Sequence, residues 1–330
     1  MIRTYSESGF SLIELLVAIT LLMVVSSIVT TALMQMTQAQ QTIWNRTEMH
    51  SGIRGATELL QQEVGQAGRV SVPGTVAQPG VIVMTQPVAA QPKCDPGTPT
   101  FNAVAVPVNT TTGIFATAGP PAAYELFTTL DGNNQELVKV ASVDTAASQI
   151  TACFLYAHVA NTVLMPMGAF ATGIVPPTGI ANGSSASVLK LFGDIMGDGN
   201  MVYVEYTCDT VNHNLYRNVM AFDAAIKPAV TNSQILLSNI IDNPGGTPCF
   251  TYQTTTLTAQ GTVFTFVLDV AVTLTVQTEQ IDPITKQFQT ETKALLNVSP
   301  RNVFTAWEMA SLTFTDHVQS TPVTVTALLP

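Results

Sequence analysis

One apolar stretch near the N-terminus constrains this chain more than any other part of its sequence. From Phe10 to Val29, 15 of 20 residues are apolar, and Glu14 is the one charged residue among them. An apolar helix of this length is long enough to cross a bilayer. A carboxylate in the apolar part of a membrane helix costs about 2 to 3 kcal/mol, so Glu14 is expected to have a cationic partner. The stretch itself contains no basic residue that provides one.

Proteolysis can create the missing cation. A cut between Gly9 and Phe10 leaves a new α-amine four residues before Glu14, about 6 Å away along a helix axis. A neighbouring subunit shifted by one such step brings its amine opposite Glu14. The octapeptide GFSLIELL, Gly9 to Leu16, resembles the class III signal of type IV prepilins and type II secretion pseudopilins. This resemblance implies that prepilin peptidase cuts after Gly9, that Phe10 becomes N-methylated, and that Glu14 pairs with a neighbour's amine during assembly.

An ordinary secretory signal peptide or single-pass anchor is the alternative interpretation of this stretch. An ordinary signal has its small-residue cleavage site after the apolar core, whereas Gly9 precedes the core, and no Ala-x-Ala follows Val29. The pattern therefore favours a leader peptide of residues 1–9 and a retained transmembrane and assembly helix of residues 10–29.

The helical pattern continues beyond the apolar stretch. Apolar or small residues recur at steps of three and four from Ala32 to Ala67, which predicts an amphipathic helix over residues 30–68 with one face against a core. No proline occurs before Pro73, so one helix is predicted from Phe10 to about Gly68. The glycines near its end are typical of a C-terminal stop.

From residue 69 to residue 330 the period changes to two, which predicts a β-rich head. The clearest alternation is Val263 to Val276, and a turn at Asp282-Pro283 should lead into a second strand near Lys286 to Asn297, forming a hairpin under the helix. Between Val70 and Pro177, the Thr, Gly and Pro content predicts an insert with long surface loops. Other predicted strands are Gly80 to Thr85, Phe101 to Val106, Glu136 to Val143, Ile150 to Ala157 and Met201 to Thr207.

Ala56 to Gly68 resembles the helix end of the larger minor pilins and pseudopilins, the PilW-like and J-type components, and two further tracts, Asn214 to Asn218 and Val298 to Val303, resemble the PilW-like group. The resemblance implies an α+β, pilin-like fold with one long N-terminal helix packed on an antiparallel β-sheet head. It also implies a structural minor pilin in the tip or initiation complex of a type IV pilus. Two alternatives stay open, a J-type minor pseudopilin of a type II secretion system and a pilus-tip adhesin that binds through the insert.

The same resemblance implies the partners and location of the protein. The partners are prepilin peptidase, other minor and major pilins that bind through the N-terminal helix, and an inner-membrane assembly platform. The chain is expected in the bacterial inner membrane with its head in the periplasm before assembly, and on the pilus at the cell surface afterwards.

Four cysteines lie in the head without a Cys-x-x-Cys pair, which argues against a metal ribbon or a thioredoxin-type site. An even number in an exported domain predicts two disulfides, for which three connectivities exist. We prefer Cys94 with Cys153 and Cys208 with Cys249, since each pair closes a loop within one stretch of the β-rich region. Four free thiols are the alternative.

The sequence offers little chemistry. A net charge of −10 argues against nucleic-acid binding, which depends on clustered Lys and Arg. The four histidines are far apart, and no zinc-protease, nucleophile-elbow or nucleotide-binding motif occurs. We therefore predict no enzyme activity, no cofactor and no small-molecule substrate. These histidines are His50, His158, His213 and His317.

One tract has the composition of a calcium loop. Asp194, Asp198 and Asn200 place two carboxylates and an amide oxygen between glycines. The spacing departs from the Asp-x-Asp-x-Asp-Gly pattern, and the bidentate glutamate is missing. The alternative is a hydrogen-bonding Asp-Gly turn that enters the next strand, so we predict no metal and keep these three residues as the one calcium candidate.

Overall fold

The protein is described here by a computed structural model, which covers residues 11–70, 82–94, 102–111, 114, 126–166, 169–198, 201–221, 224, 226–259, 262–312, 318–319, 321 and 325–326. These residues confirm the predicted α+β class, with one long N-terminal helix and mainly antiparallel sheets. The helices are α1 (Leu12–Gln66) and α2 (Arg301–Ser311). The strands are β1 (Ile82–Val83), β2 (Val104–Pro107), β3 (Leu126–Leu130), β4 (Leu137–Asp144), β5 (Gln149–Ala152), β6 (Val163–Pro166), β7 (Ala169–Phe170), β8 (Val188–Gly193), β9 (Val202–Asp209), β10 (Asn214–Ala221), β11 (Ile235–Ser238), β12 (Ile240–Ile241), β13 (Phe250–Ala259), β14 (Thr262–Gln277), β15 (Thr290–Val298) and β16 (Val318–Gln319).

The chain divides into two compact units. The first comprises Met1–Ser51 and Gln277–Glu291, and the second comprises Gly52–Val276 and Thr292–Pro330. In the first unit, the loop between β14 and β15 binds the helix through polar side chains. Gln41 donates to Gln280 at 2.9 Å, and Arg46 donates to Gln289 at 2.9 Å.

Helix α1 has 55 residues, about 82 Å at 1.5 Å per residue. It ends at Gln66, close to the predicted stop, because Gly68 adopts φ +78°, the left-handed conformation that glycine reaches without strain. The Gly68 N–H then donates to the carbonyl of Phe192 in β8 at 2.8 Å. The helix end is therefore joined to the sheet by a backbone hydrogen bond.

The apolar face predicted for residues 30–68 is buried from Met49 to the end of α1, whereas earlier residues of the same face are exposed. Ile53, Leu60 and Val64 are buried, whereas Met36 and Ile43 are 60% and 65% exposed. The spacing of apolar residues is the same in both halves. Burial therefore follows from which turns pack on the sheets of the second unit.

Four strands predicted in the insert are present as β1, β2, β4 and β5, whereas β3 and β6 were not predicted. The described residues between 82 and 166 form a six-stranded sheet in the order β1-β6-β3-β4-β5-β2, so the insert contains more regular structure than the expected long surface loops. Its strands alternate buried and partly exposed residues, so the short β-branched and aromatic runs bury one face. The core of this sheet includes Phe127, Val138, Ile150 and Phe154.

A four-stranded antiparallel sheet, ordered β11-β10-β9-β8, forms the centre of the second unit. In β9 most side chains on both faces are buried. Tyr203 belongs to the same core as the insert sheet, while Tyr206, on the opposite face of β9, contacts α1 through Glu63. Strand β9 therefore lies between two layers.

The long alternating strand is confirmed as β14, which pairs with β12, β13 and β15. On the predicted face, Phe266, Val270, Val272, Leu274 and Val276 are at most 1% exposed. The turn after β14 is also where the sequence predicts it.

Asp282 holds that turn. Its Oδ1 accepts the N–H groups of Ile284 at 2.8 Å and Thr285 at 2.7 Å. An aspartate that accepts backbone N–H groups two and three residues ahead stabilises a tight turn. The second strand, β15, begins four residues later than predicted.

Helix α2 is not anticipated by the sequence analysis, which predicts a β-rich head and no helix after residue 68. Pro300 precedes its first turn, and Val303, Ala306 and Ala310 are buried on one face. They pack with Phe264 and Phe266 of β14. A proline before apolar residues at helical spacing is the local signal that identifies such a helix.

A buried ion pair joins α1 to the central sheet. The Glu63 side chain is 4% exposed, and its carboxylate accepts two bonds from Nε of Arg217, at 3.1 and 3.2 Å, and a further close contact from an Arg217 terminal nitrogen. The Tyr206 hydroxyl donates to Oε2 of Glu63. Burial raises the pKa of Tyr206, and the Glu63 carboxylate raises it further, so the hydroxyl remains a donor.

Replacing Glu63 by alanine should lower the free energy of unfolding by about 3 kcal/mol, because Arg217 loses its partner while remaining mostly buried. Denaturant unfolding of the full chain in detergent measures this. Glu58→Ala is the matched control, since Glu58 is exposed and pairs with Arg54 on the same helix. Its effect should stay within about 0.5 kcal/mol. Equal losses in the two variants would contradict a stabilising role for the buried pair.

Candidate functional site: the apolar N-terminal helix

Glu14 caps the helix to which it belongs. The Ser11 N–H donates to Glu14 Oε2 at 3.0 Å, and the Glu14 N–H donates to the Ser11 hydroxyl at 3.3 Å. This reciprocal arrangement is a capping box, which satisfies two backbone donors that a helix start leaves unpaired. The Ser-x-x-Glu spacing signals it in the sequence, and the sequence analysis did not use that signal. Glu14 therefore has a polar partner within its own chain.

Apolar side chains are exposed on every side of the following turns. Residues 15–45 contain no charged side chain, and consecutive residues such as Leu21, Leu22 and Met23 are 61%, 65% and 66% exposed. A helix that is apolar all round is normally buried in a large core or in a membrane. The chain itself leaves this part of α1 uncovered.

Two threonine hydroxyls in this part of the helix form hydrogen bonds to its own backbone. Thr20 donates to the carbonyl of Val17 at 2.8 Å, and Thr31 donates to the carbonyl of Ser27 at 2.8 Å. A hydroxyl that bonds to its own helix leaves no unpaired donor toward an apolar surrounding. These threonines are therefore compatible with lipid or with an apolar helix bundle.

Length and composition both allow α1 to cross a membrane. In the part of the chain that the structure describes, it is the one helix that is long and apolar enough to cross a membrane. The most apolar part of this helix is 0% buried. The predicted processing residues Gly9 and Phe10 lie outside the described residues, whereas Glu14 lies at the start of the exposed apolar surface.

Both disulfides join the pairs that the sequence analysis prefers. Cys94 is bonded to Cys153 with their Cα atoms 5.5 Å apart, and Cys208 is bonded to Cys249 with their Cα atoms 6.5 Å apart. The first closes a loop in the insert, and the second connects β9 to the residue before β13. Such bonds are typical of exported proteins.

The calcium candidate contains an ion pair in the structure. Asp194 is 1% exposed, its carboxylate lies 3.5 Å from Nε of Arg69, and its N–H donates to the carbonyl of Arg69 at 2.9 Å. Asn200 lies outside the described residues. Among the described residues, no group of three or more His, Cys, Asp or Glu side chains is arranged to hold a metal ion.

The three histidines that the structure describes each have separate partners. His50 contacts Glu291, Nδ1 of His213 lies 2.9 Å from the carbonyl of Ile240, and His317 lies outside the described residues.

His158 is buried, with Nδ1 2.9 Å from Asp131 and Nε2 2.8 Å from Glu136. Sequence reasoning missed this cluster, because its members are 27 and 22 residues apart. Glu136 also accepts the N–H groups of Leu155 at 2.7 Å and Tyr156 at 3.0 Å. The cluster therefore holds two loops of the insert together.

Comparison with known proteins identifies the N-terminal segment. Residues 5–30 match the family described as the prokaryotic N-terminal methylation motif. No curated protein and no solved structure matches the chain significantly. The match includes Gly9, Phe10, Glu14 and most of the exposed apolar surface of α1. The motif supports a type IV pilin-like or pseudopilin-like protein, and the long apolar helix fits membrane anchoring.

An arginine in the exposed apolar surface should prevent stable membrane integration. Val25→Arg places a charge at the centre of the segment at a cost of about 3 kcal/mol, which corresponds to about a 100-fold less favourable insertion. The fraction of full-length protein that resists alkaline carbonate extraction measures it. Ile43→Arg is the control on the same helix, outside the apolar stretch, and should stay membrane-bound. Loss of membrane binding in both variants, or in neither, would contradict this assignment.

Proposed function

We propose that the protein is a PilW-like minor pilin, which enters a type IV pilus through its N-terminal helix after cleavage by prepilin peptidase. One observation carries the proposal: residues 5–30 match the methylation motif, and the apolar surface of α1 that begins within this match is exposed on all sides. Exposed apolar area of this extent is stable in lipid or against neighbouring helices, and a subunit that moves from a membrane into a filament core meets both.

The proposed processing divides the chain into four parts. The leader is residues 1–9, the transmembrane and assembly helix is residues 10–29, the amphipathic helix is residues 30–68, and the head is residues 69–330. Cleavage between Gly9 and Phe10 creates the α-amine that serves as the N-methylation site. The continuity of α1 from Leu12 to Gln66 supports the second and third parts as one helix.

Glu14 is the proposed assembly residue. In the single chain its carboxylate already accepts one hydrogen bond, from the Ser11 N–H. An ionised carboxylate accepts several hydrogen bonds at once, so Glu14 can cap its own helix and pair with the amine of a neighbour's Phe10. In an apolar surrounding an unpaired charge is costly, and this pairing favours the helix offset that brings the two charges together.

The head supports a role at the tip or in the initiation complex. The insert sheet enlarges the head, shares a core with the central sheet and adds a disulfide, which suits a subunit present in few copies. The proposed partners are prepilin peptidase, other minor and major pilins, and the inner-membrane assembly platform. The head is proposed to lie in the periplasm before assembly and at the cell surface afterwards, and its disulfides agree with an oxidising compartment.

The protein isolated from its envelope should begin at Phe10 and carry a methylated α-amine. Mass spectrometry of the N-terminal peptide measures this directly, and a strain without the peptidase provides the control, in which Met1 should remain. A mature chain that begins at Met1, or beyond Val29, contradicts the proposed processing.

Glu14→Gln should leave export and cleavage intact and reduce incorporation into sheared pili by more than tenfold, since the amide does not neutralise the neighbour's amine at a site where a charge costs 2 kcal/mol or more. Quantitative immunoblotting of pilus and membrane fractions measures it. Glu48→Gln, at an exposed position of the same helix, is the control and should incorporate normally. Normal levels of the Glu14 variant in pili would contradict the proposed role of Glu14 in assembly.

A further inference from the structure

The central sheet holds a buried cluster of polar side chains that is not part of the site described above. Lys190 on β8 lies opposite Glu205 on β9 in the strand register, and Tyr203 lies on the same face of β9 as Glu205. Asn182, before β8, and Lys227, after β10, complete the cluster. We name these five residues the Lys-Asn-Glu cluster. All five lie within the second unit.

Both lysines approach the same amide group. Nζ of Lys190 lies 2.9 Å from Oδ1 of Asn182, and Nζ of Lys227 lies 2.8 Å from the same oxygen. Glu205 Oε1 is 2.6 Å from Nζ of Lys227 and 3.8 Å from Nζ of Lys190. Two amines and one carboxylate therefore surround a single carboxamide.

The remaining contacts fix the orientation of that carboxamide. Nδ2 of Asn182 donates to the Tyr203 hydroxyl at 3.0 Å and to the carbonyl of Val325 at 2.8 Å. The Tyr203 hydroxyl in turn donates to Glu205 Oε1 at 2.6 Å. A chain of hydrogen bonds thus connects the amide nitrogen of Asn182, through Tyr203, to the carboxylate of Glu205.

The charges in this cluster do not balance. The side chains of Lys190, Lys227 and Glu205 are 11%, 9% and 10% exposed, so two cations share one carboxylate away from water. Burial lowers the pKa of the Lys190 ammonium, and the charge of Lys227 lowers it further. A lower pKa favours the neutral amine form of Lys190, which is the form that acts as a nucleophile.

We propose that Lys190 and Asn182 form an intramolecular isopeptide bond. The Lys190 amine attacks Cγ of Asn182, the Cγ–Nδ2 bond breaks, and one molecule of ammonia leaves. No oxidant or reductant takes part, and the atoms balance, since an amine and a primary amide give a secondary amide and ammonia. The reaction occurs once per chain and requires no second substrate.

Each neighbouring group has a role in this step. Glu205 accepts the proton that Lys190 loses, and in an unreacted site such a base need not yet lie at hydrogen-bonding distance. Lys227 stabilises the negative charge that develops on Oδ1. Tyr203 passes a proton from Glu205 to the leaving nitrogen Nδ2. The product removes one buried positive charge and leaves Lys227 paired with Glu205.

A different reaction loses the same molecule. Asn182 precedes Gly183, and attack of the Gly183 backbone nitrogen on Cγ of Asn182 also releases ammonia, forming a succinimide. This rival needs neither Lys190 nor Glu205, so variants of these two residues distinguish the two reactions.

The full-length protein is purified in detergent, reduced, and cut by a protease that does not act at lysine. The mass of the peptide that spans residues 182–190 is then measured. The expected peptide lacks the mass of one ammonia and gives no fragment ions between Asn182 and Lys190, because the bond closes a ring. A wild-type peptide of full mass overturns the proposal.

Lys190→Arg and Glu205→Gln carry the second part of the test. Lys190→Arg should show the full mass expected for its sequence, and Glu205→Gln should form the bond on the order of 100-fold more slowly, as expected when a general base is removed. Lys139→Arg is the matched control and should keep the deficit. A deficit that persists in Lys190→Arg assigns the loss to the succinimide and overturns the proposal.

Discussion

One helix of this protein has to meet two different surroundings. Its last four turns bury a single face against the head, whereas the turns from Leu12 onward expose apolar side chains in every direction. Several polar groups in the exposed part are satisfied within the helix, by the Ser11–Glu14 capping box and by two threonines that bond to backbone carbonyls. The chain alone leaves this surface uncovered, so its stable surroundings are lipid or other helices of the same kind.

Inside the head, buried charge occurs in two contrasting forms. Glu63 and Arg217 balance each other, and Tyr206 adds a hydrogen bond, so the pair positions the end of α1 on the central sheet. Lys190, Lys227 and Glu205 are unbalanced, and the surplus cation lies against a carboxamide. A buried ion pair with balanced charges is costly to break, whereas a buried cation without its own counter-charge has a shifted pKa and can become reactive.

Local sequence patterns were reliable where one element carries its own signal. The alternation of β14 and the glycine stop of α1 were predicted close to their observed positions. In the insert, four strands were predicted near their observed positions, but β3, β6 and the pairing order were not, because pairing depends on contacts between distant segments. Helix α2 was missed although the sequence carries a local signal for it. Pro300 precedes the helix, and three apolar residues follow at helical spacing. The His158 cluster had no local signal, since its carboxylates come from distant positions.

The sequence by itself determined the membrane-length helix, the methylation motif at its start, the position where the helix ends and the β-rich character of the head. These depend on periodicity and on residue types at short spacing, which act within one element. The tertiary structure alone decided which turns of α1 are buried, that Glu63 meets Arg217 across 154 positions, and that two lysines share Asn182. Such contacts depend on strand register and on how the layers pack. The spacing of residues along the chain does not reveal either of these.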